Sequence, residues 1–215
     1  MAHKKIEDKE RHEGRSVRNN ILAAAVQLFA EYGYHAAPLR DIAQIAGIQA
    51  ASIYYHYANK EALLVEIMEA HMLHLNASLE RILREEQDPL KRLYEATANH
   101  IRLHTSYKSE FFIIDTEIRA LEGDNRHYIL SLRDHYESLL QDLLRDGMER
   151  GVFRLSDVKV SSYAIIAMCT AVSTWFRPSG RLSVQQVIDM YSQMITQGLL
   201  LLPTSPQTLE EAEHT

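Results

Sequence analysis

A chain of 215 residues that is 46% hydrophobic, with only eight glycines and five prolines, is long enough to bury a sizeable core and too apolar to be a disordered chain. Its net charge of −6, taken whole, argues against a nucleic-acid binder, yet residues 1–60 hold eight Lys/Arg against six Asp/Glu, a net of +2 that leaves −8 for the rest. A mildly basic head on an acidic body is the asymmetry expected when one end of a protein meets phosphate.

Residues 1–15, MAHKKIEDKERHEGR, are charged almost throughout and are expected to be a mobile arm. Lys4, Lys5, Lys9, Arg11 and Arg15 suit a tail along a DNA backbone, while Glu7, Asp8, Glu10 and Glu13 suit a purely solubilising one. Ser16 is a fitting N-cap for a helix with Ile21, Ala25, Leu28, Phe29 and Tyr32 on its inner face, ended by Gly33. Arg18, near the start of that helix, is placed to touch phosphate.

The stretch Leu39–Lys60, LRDIAQIAGIQAASIYYHYANK, has the form of a helix-turn-helix. Leu39, Ile42, Ala43 and Ala46 recur at helical spacing, Gly47 breaks the pattern, and Ile48 and Ile53 resume it in a second short helix. Glycine supplies the positive φ that a tight turn between crossing helices needs. The second helix then carries Gln49, Ala50, Ser52, Tyr54, Tyr55 and His56, short polar and aromatic groups suited to a DNA groove. Tyr57 is expected to pack inward.

Beyond Lys60 the periodicity predicts helices at about 61–85, 89–105, 108–121, 124–149, 157–176 and 183–202. Asp88-Pro89, Gly123, Gly151 and Arg177-Pro178-Ser179-Gly180 punctuate them, and no stretch alternates long enough for a strand. The expectation is an all-α protein: arm 1–15, helix-turn-helix domain 16–60, ligand-binding and dimerisation body 61–202, and frayed tail 203–215. In the last two helices Ala167, Ala171 and Trp175, with Val187, Tyr191, Met194 and Ile195, form the expected homodimer surface. A short recognition helix usually needs a two-fold copy to bind usefully, which favours that surface over plain core packing. Cys169, the single cysteine, rules out an internal disulfide, and no apolar run nears the roughly 20 residues of a membrane span. With no signal-peptide core in the first residues, a cytoplasmic protein is expected.

His71 and His74, three apart, and His100 and His104, four apart, can each share a helical face, but no third ligand completes a metal site. Asp115 and Glu117 with His100 and His104 would make an acid–base set, so a helical enzyme or metal-responsive protein is the alternative reading. No nucleophile motif, phosphate loop or cofactor fingerprint accompanies them, and no cofactor is expected.

Three pieces in order, ILAAAVQLFAEYGYHA, LRDIAQIAGI and ASIYYHYANKEALL, make the chain resemble the TetR family of one-component transcriptional repressors over residues 16–65. The resemblance implies Arg40 and Lys60 as phosphate or base contacts, His56 as a phosphate neighbour, and Gln49, Ser52, Tyr54 and Tyr55 facing the groove. Two departures stand out. Ala37 and Pro38 replace threonines that often cap the second helix, and Ala50 replaces a long side chain, implying fewer contacts at that base step. In the body, EIRALEGDNRHYILSLRDHYESLL and TWFRPSGRLSVQQVIDMYSQMITQGL resemble family members that control lipid and steroid catabolism, several answering to acyl-CoA thioesters. An anionic thioester would need Arg119, Arg126 and Arg133 near the pocket mouth, and the expected ligand set adds His100, His104, Asp115 and Trp175. The partners so implied are operator DNA, a second copy of the chain and a small effector, with no membrane.

Overall fold

The computed structural model describes residues 2–199, with side chains for 16–198, and arranges them as nine α-helices. These are α1 Ala2–Tyr32, α2 Leu39–Ile45, α3 Ile53–His56, α4 Lys60–Glu85, α5 Pro89–Ser106, α6 Lys108–Glu117, α7 Gly123–Glu149, α8 Val158–Trp175 and α9 Val184–Met194. Short 3₁₀ turns, Ala50–Ser52 and Ile118–Ala120, precede α3 and follow α6, and a π-helical turn, Ile195–Leu199, ends α9. No strand occurs among the described residues, in keeping with the all-α expectation. The expected tail 203–215 lies outside the described residues.

The first helix does not start at Ser16; it runs back to Ala2 through the stretch expected as an arm. Lys4/Asp8, Glu7/Arg11 and Lys9/Glu13 are opposite charges four apart, a spacing that favours helix over coil.

Among the described residues, those up to 73 with 107–132 form one compact unit, and 74–106 with those from 133 on the other, so α4 and α7 each contribute to both. This division does not coincide with the expected boundary after residue 60. In the first unit Ile21, Ala25, Leu28 and Phe29 of α1 are buried with Ile42, Ala43, Ile53 and Tyr57 and with Leu63 and Leu64 of α4. Each of the leucine, isoleucine and phenylalanine side chains among them contributes about 1.5–3 kcal/mol on burial. Tyr32 departs from the inner face expected of it and is 59% exposed; Tyr34, beyond the Gly33 turn, stacks edge-on against Phe29 in its place, centroids 5.4 Å apart.

In the second unit α5 packs on α8 and α9, burying Leu93, Ala96 and Ile101 with Ile165, Val172, Val187 and Ile188. Helix ends are closed by named groups. Asp88 Oδ1 accepts from the N–H groups of Leu90 and Lys91 at 2.9 and 3.0 Å, Asp157 caps α8 through Val160 N–H, and Ser183 with Gln186 forms a capping box on α9. Arg92 donates to the carbonyls of Leu83 and Glu86, groups left open at the end of α4, and pairs with Asp146 of α7 at 3.0 Å. No described helix is long and apolar enough to cross a membrane.

Candidate nucleic-acid interface and effector site

The helix-turn-helix is built on a Schellman motif. Gly47, at φ +73°, donates to Gln44 O at 3.2 Å, and Ile48 N–H donates to Ala43 O at 3.0 Å, which closes the end of α2. A side chain with a Cβ would be strained at that φ. At the other end of α2 no side chain caps the helix; Pro38, extended at ψ 147°, offers its carbonyl to Asp41 and Ile42 instead. The missing threonine cap is thus replaced by backbone alone.

After the turn the chain passes through Gln49 into the 3₁₀ turn and α3. Ile53 is fully buried and Tyr57 nearly so, which turns the intervening residues outward. Gln49, Ala50 and Ser52 are exposed, Tyr54 and Tyr55 are 62% and 89% exposed, and His56 stands edge-on to the Tyr55 ring at 5.2 Å. An exposed row of amide, hydroxyl and phenol groups, held by the inward Ile53 and Tyr57, can read base edges and phosphates. Arg40 projects from α2 and pairs with its neighbour Asp41 at 3.0 Å.

Lys60 points elsewhere. Its Nζ donates to the carbonyls of Tyr34, His35 and Ala37 at 2.7, 3.3 and 3.2 Å and lies 4.4 Å from the Tyr34 ring centroid. Burial lowers its pKa from the ordinary lysine value. The side chain expected at phosphate instead ties the α1–α2 loop to the start of α4. Arg18 is likewise engaged, with Glu66 at 2.6 Å and over the Tyr57 ring at 5.1 Å.

The expected effector residues are divided between the two compact units. Arg119 and Arg126 are exposed in the first unit, as is Asp115, and Arg133 is exposed in the second. An open groove of about 760 Å³ between α1, α4 and α6 in the first unit has an apolar floor that includes Leu22, Val26 and Ile67. Glu31, Glu66 and Glu110 line it and, among the described residues, no Lys or Arg does, which is the wrong charge for a thioester's phosphates.

His100 and His104 do come together, deep in the second unit. Their rings stack 4.0 Å apart with planes 6° off parallel. His100 Nδ1 shares a hydrogen bond with Tyr136 Oη at 2.8 Å, its Nε2 with Thr170 Oγ1 at 2.9 Å, and His104 Nδ1 donates to His100 O at 3.0 Å. Burial pushes both pKa values down, that of His100 well below the ordinary range and that of His104 to about 4. Two neutral imidazoles therefore sit at neutral pH in a polar cluster. Thr97, Tyr136 and Thr170 were missed as its members, although Thr97, His100 and His104 fall three and four apart on one face of α5.

On α8, Val160, Tyr163, Ala167, Ala171 and Trp175 form an exposed stripe spaced 3, 4, 4 and 4, continued by Met190 and Met194 on α9. Trp175 stacks on Tyr191 at 6.4 Å and belongs to this stripe, away from the buried histidines. Val187 and Ile195, expected at the dimer surface, are 1% and 0% exposed in the protomer's own core. The apolar residues of α9 point to two sides, and the inner side is covered by α5.

A two-helix DNA reader with exposed polar and aromatic groups, carried by an all-helical body, defines a helix-turn-helix transcription regulator. Residues 21–67 match the family of bacterial regulatory proteins named for TetR, and residues 86–199 match the tetracyclin repressor-like C-terminal domain. The chain belongs to the TetR family. It is 32% identical over 187 residues to the HTH-type transcriptional repressor KstR2 of Mycobacterium tuberculosis strain H37Rv, covering 86% of this chain and 93% of that one. Among solved structures, the TetR family regulator PfmR of Thermus thermophilus is 35% identical with a TM-score of 0.77, covering 83% of this chain and 98% of that one. AibR in complex with isovaleryl coenzyme A and operator DNA is 29% identical with a TM-score of 0.76, covering 83% and 97%.

Proposed function

We propose that the protein is a cytoplasmic homodimeric repressor that binds a near-palindromic operator and is released by a small hydrophobic or acyl-CoA-like effector. The observation that carries this reading is the pairing of an outward Gln49–Tyr55 face with an unpartnered α8/α9 stripe on the same chain. One face reads a half-site; the other makes the two-fold that supplies the second. The recognition helices of a dimer then enter successive major grooves about 34–36 Å apart.

AibR, a relative over most of this chain, is named with both isovaleryl coenzyme A and operator DNA, which supports a thioester effector here. Helix α4 contributes to both compact units and is the natural lever between effector and head. Each tenfold loss of operator affinity requires about 1.4 kcal/mol of differential effector binding between the two head spacings.

The test is a mobility shift with DNA from the gene's own upstream region, followed by an acyl-CoA panel. Preference over random DNA, a steep salt dependence and release by at least one acyl-CoA are expected. No preference over random DNA refutes the repressor reading, and silence from every acyl-CoA refutes the effector class. Tyr54→Ala should lower the operator-to-random ratio by about tenfold. An equal loss on both DNAs would remove Tyr54 from the groove.

A further inference from the structure

The head is explained by DNA contact and the α8/α9 stripe by dimerisation, but the polar cluster buried in the second unit serves neither. Between α5, α7 and α8 lies a narrow void, lined by Thr97, His100, Tyr136 and Cys169 with Ile165 and Ile166. Only about 10 Å³ of it is open to the centre of a water-sized group, roughly the room one oxygen needs. Thr97 is 2% exposed, and its Oγ1 is buried without a hydrogen-bond partner. An orphan hydroxyl beside a void is destabilising unless something comes to meet it.

The charge of what comes is constrained. Among the described residues, no Lys, Arg, Asp or Glu lines the void. Burial keeps His100 and His104 neutral and keeps the Tyr136 phenol protonated. A carboxylate would enter with no counter-charge, whereas a carbonyl or hydroxyl would find the Thr97 hydroxyl and, beside it, the Tyr136 phenol, both His100 ring nitrogens being already bonded. Ile166 is only half-buried, so the void comes nearest to the surface on its α8 side, where a larger body behind the oxygen would lie.

We infer that this void is the seat of an uncharged oxygen, carbonyl or hydroxyl, carried by the effector, with Thr97 Oγ1 as its hydrogen-bond partner. The inference rests on the effector-responsive reading but not on the thioester. It selects oxygenated effectors over plain hydrocarbon chains and rejects any whose buried end is ionised.

Calorimetry on the full-length protein with cyclohexanone, cyclohexanol, methylcyclohexane and cyclohexanecarboxylate tests it. The ketone and alcohol should bind, and Thr97→Val, which keeps the shape and removes the hydroxyl, should weaken both by about fivefold. Thr97→Ser, which keeps the hydroxyl, should retain them, and any binding of methylcyclohexane should be indifferent to Thr97→Val. Carboxylate binding as tight as ketone binding, ketone affinity unchanged in Thr97→Val, or no binding of ketone or alcohol overturns the seat. Hydroxyl-dependent ketone binding with no acyl-CoA release of DNA would refute the thioester class alone. Acyl-CoA release with ketone binding indifferent to Thr97→Val would refute the seat alone.

Discussion

The Lys60 ammonium lies 4.4 Å from the centroid of the Tyr34 ring and donates to the Tyr34 carbonyl at 2.7 Å, so one cation satisfies both the face and the backbone of a single residue. With His35 O and Ala37 O it closes three carbonyls of the loop that leads into α2. Lys60→Met keeps the stem and removes the donor. It should cost about 1–3 kcal/mol and lower the melting temperature by roughly 2–10 °C. A phosphate contact predicts the opposite pattern: unchanged melting and uniformly weaker binding to every DNA. Differential scanning fluorimetry beside the mobility shift separates the two.

The buried histidines set a pH dependence with a definite sign. His104 falls from 6.5 to about 4 on folding, and His100 also falls. A folded-state pKa below the unfolded one means that the unfolded chain binds the proton first. Stability is complete above about pH 6.5 and declines as pH drops toward 4. Between pH 7.5 and 5 the His104 share of that loss is about 2 kcal/mol. Urea midpoints should fall across that interval, and His104→Leu should flatten the profile. A midpoint that stays level in the parent protein would show that the pair is solvated.

How far the sequence carried the reading differs from one element to the next. The turn at Gly47, the inward Ile53 and Tyr57 and the outward Tyr54 and Tyr55 were legible because a helix-turn-helix is a local structure, settled within about 20 residues by periodicity and one glycine. Val187 and Ile195 were placed on the wrong side because both sides of α9 are apolar, and only the neighbour α5 decides which is covered. Lys60 was expected at phosphate or a base, and its carbonyl partners Tyr34, His35 and Ala37 lie more than 20 residues earlier in the chain, a relation that spacing does not encode. The polar cluster was half legible: His100 and His104 were singled out, while Thr97, Tyr136 and Thr170 come from three different helices.

Gly147 reports on packing at the end of α7. A Cβ built there would lie 2.0 Å from Cδ2 of Phe153, a ring that is 4% exposed and held against the helix after the Gly151 turn. Gly147 O also accepts from the N–H groups of Val152 and Phe153 at 2.8 and 3.0 Å, so ring and backbone cannot both retreat. Gly147→Ala would raise helix propensity by about 1 kcal/mol in an open helix. Here overpacking should reverse the sign and cost about 1–3 kcal/mol. A variant as stable as the parent would mean that the Phe153 ring moves freely. Gly147→Ala combined with Phe153→Leu should then recover part of the loss, since the branched side chain leaves the room the ring denied.

The α8/α9 stripe yields the sharpest test of assembly. Ala171 is exposed and lies one helical turn before Trp175, which is 46% exposed, with Met194 on the neighbouring helix at 49%. In a two-fold dimer each copy brings the same face, so Ala171→Glu would bury two carboxylates near the axis among apolar side chains. Within a protomer the same substitution faces solvent and leaves the core untouched. Sedimentation should therefore shift from dimer to monomer while helical content persists, and operator affinity should fall by about a hundredfold or more as the second half-site is lost. Trp175→Ala should do less, because it removes apolar area without adding charge. If Ala171→Glu sediments as a dimer, the two-fold lies elsewhere and the stripe has another partner.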